Sequence, residues 1–141
     1  MRLPDTNVFL YSVNPSSQHQ SRAALWLGEA FDAEPGVGLT WLALIGFIRL
    51  STQPAILPKP LSIADATGIV DEWMSHPRAR LLQPTARHSG ILTRLLFVAG
   101  TAGNLTNDAH LAALSLEHNA TVGSFDKDFQ KFPGIKLDLL V

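Results

Sequence analysis

"GNLTNDAHLAALSLEHNATVGSF", residues 103–125, carries the pattern that decides the fold. Its first half predicts a helix. Thr106 or Asn107 offers a capping oxygen, Asp108 places negative charge in the first turn, and Leu111, Leu114 and Leu116 supply apolar contacts. Asn119 tolerates the left-handed backbone that ends a helix, after which "ATVG" returns as a short strand. A helix running straight into a strand is half of the alternation from which parallel sheets are built.

The same alternation extends in both directions. Arg2–Pro4 reads as a first strand, with Pro4 at its end because proline cannot donate to a ladder. From Ser21 onward, Ala23, Trp26, Leu27, Ala30 and Phe31 recur at helical spacing. "LTWLALIGFIRL", residues 39–50, is apolar almost all round and predicts a buried or interface helix. "STQPAILPKPLS", residues 51–62, holds three prolines and reads as a surface loop. Ser62 and Asp65 form a capping-box-like start for a stripe of Ala66, Ile69, Val70 and Trp73. "ARLLQP", residues 79–84, reads as a second strand, followed by a helix bearing Ile91, Leu92, Leu95 and Leu96 that ends near Gly100. "IKLDLLV", residues 135–141, supplies a last strand. The expected class is α/β, with a mostly parallel central sheet and helices on its faces.

With 141 residues and neither repeat nor linker, residues 1–141 are expected to form a single domain with one core. An apolar fraction of 46% excludes a disordered chain. The absence of cysteine removes disulfides, zinc–thiolate sites and thiol nucleophiles together. "MRLPDTNVFLYSVN" lacks the sections of a signal peptide, and a cytoplasmic location is expected. A net charge of −1 is not that of a dedicated nucleic-acid binder, although Arg78, Arg80, Arg87 and Arg94 lie close together.

Ligands of open parallel sheets bind beyond the carboxyl ends of the strands. Asp5 follows the first strand, Asp126 follows "TVGS", and Asp108 opens a helix that can face the same edge. Each has a plain structural reading as a cap, a first-turn charge or a turn residue. Together they would repel one another, and no Lys or Arg adjoins Asp5 or Asp108. A divalent cation is the simplest compensation, and hard oxygen ligands suit Mg²⁺ or Mn²⁺.

Taken together, "DTN" at 5–7, "NDAHLAAL" at 107–114 and "SFDKDF" at 124–129 resemble PIN-domain ribonucleases, and among them the VapC-type toxins of bacterial toxin–antitoxin pairs. The likeness covers nearly the whole chain and includes the helix ending "GFIRLST". It implies a three-layer α/β/α sandwich, an acidic cluster binding Mg²⁺ or Mn²⁺, and hydrolysis of phosphodiester bonds in tRNA or rRNA. By position, Asp5, Asp108 and Asp126 become the catalytic metal ligands, Asp126 directly or through water. Thr6 or Asn7 would orient Asp5, Ser124 would hydrogen-bond within the cluster, and Asp128 would be a supporting or solvated charge. Arg49, Arg78, Arg80 and Lys127 would meet RNA phosphates. A small VapB-type antitoxin would cover the cleft, an arginine among the aspartates neutralising them as a cation does. The apolar helix at 39–50 and its flanks could serve a homodimer or antitoxin interface, with core packing accounting for most of its apolar surface.

One departure stands out. The family carries an acid, commonly Glu, in the helix before the arginine of "GFIRL", and here Leu44, Ile45 and Gly46 occupy that place. Either three acids suffice, Asp128 compensates, or metal affinity and turnover fall. The gap also supports an alternative, a catalytically impaired PIN fold acting as an RNA- or protein-binding module. A phosphatase of the haloacid dehalogenase type is excluded because Asn7 stands where its second aspartate belongs.

Overall fold

Five short strands, β1 (Arg2–Pro4), β2 (Val37–Leu39), β3 (Ala79–Leu81), β4 (Thr121–Ser124) and β5 (Lys136–Leu139), form one all-parallel sheet ordered β3-β2-β1-β4-β5 in the computed structural model, which spans residues 1–141. Six helices cover it: α1 (Thr6–Ser12), α2 (Gln20–Asp32), α3 (Trp41–Ser51), α4 (Ile63–Ser75), α5 (His88–Ala99) and α6 (Thr106–Glu117). One apolar cluster, with Phe9, Trp26, Leu44, Phe47 and Val70, joins α1 through α4 to the sheet. A second, with Leu3, Leu95, Leu111, Leu114, Val122 and Phe129, lies under α5 and α6. The result is the expected α/β/α sandwich.

Local chemistry explains most element ends. Ser62 caps α4 by accepting from Asp65 N–H at 3.0 Å. Gly100 ends α5 in the left-handed conformation, and Asn119, with φ 52°, turns the chain from α6 into β4. No helix is long and apolar enough to cross a membrane.

Three readings of the sequence need correction. The strand β2 was hidden at the front of the apolar run, whose helix begins only at Trp41. Thr40 is the cap, its hydroxyl accepting from Ala43 N–H at 3.3 Å. Helix α6 has no side-chain cap. A 3-10 turn, Gly103–Leu105, runs directly into it, so neither Thr106 nor Asn107 stands at the capping position. The face of α3 is also less buried than its composition implies, with Trp41 43% and Ile45 58% exposed.

Because all strands run the same way, every strand's carboxyl end lies on one edge. The pairing of Pro4 with Gly123 sets Asp5 beside Ser124 on that edge.

Candidate metal centre

Asp5 is fixed from three directions. Its N–H donates to Gly123 O at 2.9 Å, its Oδ1 caps α1 by accepting from Thr6 N–H at 2.7 Å, and its Oδ2 accepts from Ser124 Oγ at 2.7 Å. The buried Ser124 hydroxyl also accepts from Asn7 Nδ2 at 3.1 Å and from Asp126 N–H at 2.9 Å. Asn7 Oδ1 in turn accepts from Phe125 N–H at 3.2 Å. Asn7 therefore orients Asp5 through Ser124, while Thr6 does so through its backbone. The Thr6 hydroxyl is spent elsewhere, donating to Ala43 O in α3 at 3.2 Å.

Asp126 caps a 3-10 turn at Lys127–Lys131, its Oδ1 accepting from Asp128 N–H at 2.8 Å. That turn brings Asp128 back toward the start of α6. Carboxylate oxygens of Asp108, Asp126 and Asp128 all lie within 4.8 Å of one another. Asp128 thus joins the cluster more closely than its reading as a solvated charge implied, although Lys131 Nζ also reaches its Oδ1 at 2.9 Å. Asp5 is not within that tight group, because its oxygens are drawn to Thr6 and Ser124.

The electrostatics are those of an uncompensated site. Burial, followed by repulsion from Asp5, Asp126 and Asp128, pushes the Asp108 carboxyl up to about 7. Burial also raises Asp5, against the opposing hydrogen bonds from Ser124 and Thr6, and Asp126 adds to the rise. Converging hard oxygen donors whose ionisation is resisted for want of positive charge fit a divalent cation such as Mg²⁺ or Mn²⁺.

A cavity of about 280 Å³ opens beside the cluster, walled by Asp5, Thr6, Gly46, Arg49 and Asp108 among others. Of the three places where the family's helix acid is expected, Ile45 is 58% exposed on the wall of this cavity and would have room for one, while the other two would not. Leu44 is fully buried in the core, and a Cβ on Gly46 would lie 2.6 Å from Thr6 Oγ1. At both positions the space an acid needs is already taken.

The basic residues separate. Arg49 lines the cavity, and Lys127 is exposed next to Asp126. Arg80 lies on the edge strand β3, two strands from β1. Arg78 precedes β3 at the opposite edge of the sheet and pairs with Glu34 at 2.8 Å.

One polar network was not foreseen. His88 Nδ1 pairs with Glu117 Oε2, His88 Nε2 meets His110 Nδ1 at 2.8 Å, and Thr85 N–H and Oγ1 donate to Glu117 Oε1 at 2.8 and 2.6 Å. It ties α5 to α6, and none of its residues lines the cavity. His110 and Glu117, seven apart, share a helical face, which was the available signal.

The PIN domain family model matches residues 2–135. Ribonuclease VapC37 of Mycobacterium tuberculosis (strain ATCC 25618 / H37Rv) is 44% identical over 138 residues, 98% of this chain and 96% of its own. Ribonuclease VapC33 of the same strain is 40% identical over 136 residues, 96% of this chain and 95% of its own. Among solved structures, a chain of VapBC2 from Rickettsia felis superposes with a TM-score of 0.67 at 16% identity, covering 99% of this chain and 98% of that one. A chain of VapBC from Salmonella typhimurium gives 0.63 at 18% identity, with 97% and 96% covered. The family match over most of the chain, and identities of this size over nearly all of it, make one conclusion plain: the chain belongs to the PIN-domain family, among its VapC-type ribonucleases.

Proposed function

We propose that this ribonuclease is a divalent-metal-dependent endonuclease of tRNA or rRNA and the toxin of a type II toxin–antitoxin pair. The observation that carries the reading is the convergence of Asp108, Asp126 and Asp128 within 4.8 Å, beside the hydrogen-bonded Asp5. Asp5, Asp108 and Asp126, with Asp128, would hold Mg²⁺ or Mn²⁺. The bound cation supplies polarisation of a phosphoryl oxygen and a lowered pKa for attacking water. The chain's own residues do the rest. Ser124 and Asn7 keep Asp5 aimed at the edge, and Asp108 near neutrality holds a proton that it gives up when the cluster is loaded. Arg49, on the cavity wall, and Lys127, exposed beside Asp126, would meet phosphates, whereas Arg78 pairs with Glu34 and is not counted in this reading.

Residues 1–141 act as one domain in the cytoplasm, as a homodimer held in check by a small VapB-type antitoxin. The VapC relatives and the VapBC complexes among the structural neighbours support that partnership. A second reading, an inactive PIN module, is favoured by one observation only, the close contact of Gly46 with Thr6 where an acid would stand.

Purified protein free of antitoxin, incubated with total tRNA and rRNA in Mg²⁺, Mn²⁺ or EDTA beside Asp5→Ala and Asp108→Asn, separates the two. Discrete fragments that need metal and both aspartates are expected. A folded wild-type protein that cleaves nothing leaves the inactive module.

A further inference from the structure

The histidine network between α5 and α6 has more in it than a helix contact needs. His88, the first residue of α5, turns Nδ1 to Glu117 Oε2 and Nε2 to His110 Nδ1, 2.8 Å away. The Glu117 side chain is fully buried, and its Oε1 accepts from Thr85 N–H and Oγ1 at 2.8 and 2.6 Å. Hydrogen bonds from His88 and Thr85 prevail over burial and hold this carboxyl ionised, below its ordinary range. His88 Nδ1 therefore carries a proton, and the neutral ring presents its lone pair at Nε2. Glu117 alone already joins the two helices through His88. What His110 adds is a second imidazole nitrogen facing the first.

A carboxylate behind an imidazole whose other nitrogen is open is the support that metal-bound histidines receive, since it fixes tautomer and ring and raises the basicity of the ligating nitrogen. Two nitrogens held at about 2.0–2.1 Å from one ion stand about 2.9–3.4 Å apart when the angle between them lies between a right angle and the tetrahedral value. The pair here needs to open by only a few tenths of an ångström. His88 is 12% exposed and His110 is half-buried, so solvent reaches the pair and water can complete a coordination shell. The acidic cluster is a separate place. His110 follows Asp108 by two residues, about 200° round the helix axis, and the carboxylates that converge with Asp108 are those of Asp126 and Asp128.

We infer that His88 Nε2 and His110 Nδ1 form a second metal site, for an ion of the Zn²⁺ class, with Glu117 as its positioning residue. Imidazole nitrogen suits Zn²⁺, Cu²⁺ and Ni²⁺, whereas Mg²⁺ and Mn²⁺ favour the oxygens of the aspartates. On binding, His110 keeps its proton by shifting it to Nε2. The ion staples the start of α5 to the second turn of α6, the helix whose first turn carries Asp108. This site goes beyond the nuclease reading and does not depend on it.

ZnCl₂ is titrated into the full chain in excess Mg²⁺, and imidazole ¹H–¹⁵N correlation spectra are followed. The ring nitrogens of His88 and His110 are expected to shift together and to saturate at one equivalent, while those of His19, His76 and His118 stay in place. In calorimetric titration under the same conditions, His88→Gln and His110→Gln should each abolish this binding, and Asp108→Asn should leave it intact. Glu117→Gln should weaken it about 10–100-fold. Because the wild-type spectrum reads the two rings directly, it decides the matter even where a variant folds poorly. Zinc that leaves both rings unshifted overturns the site. So does zinc binding that Asp108→Asn removes and His110→Gln spares, which places the ion among the aspartates. Unchanged affinity in a folded Glu117→Gln protein overturns the positioning role.

Discussion

Asp108 sits where helix geometry welcomes a carboxylate and its neighbours resist one. A first-turn acid gains from the helix dipole, yet burial and three other aspartates hold this carboxyl at about 7. The sign of the consequence is fixed. Between the ordinary aspartate value and about 7 the folded chain keeps a proton that the unfolded chain has lost, so this group lowers stability as pH rises through that window. Asp108→Asn is expected to abolish cleavage and to raise the metal-free melting temperature above pH 7, as scanning calorimetry would read. In the wild-type protein, Mn²⁺ must displace that proton, so its affinity by calorimetric titration is expected to climb with pH up to about 7 and then level. Asp5, Asp108 and Asp126 were legible because strand ends and helix starts are readable from pattern. The closeness of Asp128 was not, since it depends on Asp126 folding the following turn back by capping it.

Strand β4 and helix α6 show how elements hold the site. Gly123 lies against the buried ring of Trp26, where an added Cβ would come within 2.3 Å of Cη2 and Cζ2. The ring is pinned in turn, its Nε1 donating to Asp138 Oδ2 at 2.8 Å. Gly123→Ala should therefore cost about 1–3 kcal/mol of stability in urea unfolding. At the far end of α6, burial opposes ionisation of Glu117, but hydrogen bonds from His88 and Thr85 prevail and hold its carboxyl below the ordinary range. A depressed acid stabilises above its unfolded pKa and loses that contribution as pH falls through its folded one. Glu117→Gln is expected to cost about 1–3 kcal/mol at neutral pH and to flatten the acid limb of the stability profile. Sequence pattern identified both of these elements, yet it missed β2. Three residues with Gly38 at the centre give no alternation to read, and a Cβ on that glycine would push on the Leu82 side chain, 2.6 Å from its Cδ1.

Across the whole molecule, a metal centre and a mere scaffold differ in how they respond to cations. If the cluster is a metal site, Mn²⁺ at a hundredfold excess over its dissociation constant should stabilise the fold by about 2.7 kcal/mol. Thermal unfolding with and without EDTA measures this, and Asp108→Asn should remove most of it. The α/β/α class could be read from alternating helix and strand signals, but the strand order could not, since it depends on which short strands meet. That order has a consequence for assembly. Strand β1 pairs with β4 across more than a hundred residues of chain, and the Ser124 hydroxyl that aims Asp5 arrives only with β4. A fragment lacking the last fifth of these residues has neither that hydroxyl nor Asp126, so its acidic cluster is incomplete. The acidic cluster is therefore assembled only when the first strand and the late strand that carries Ser124 are both present.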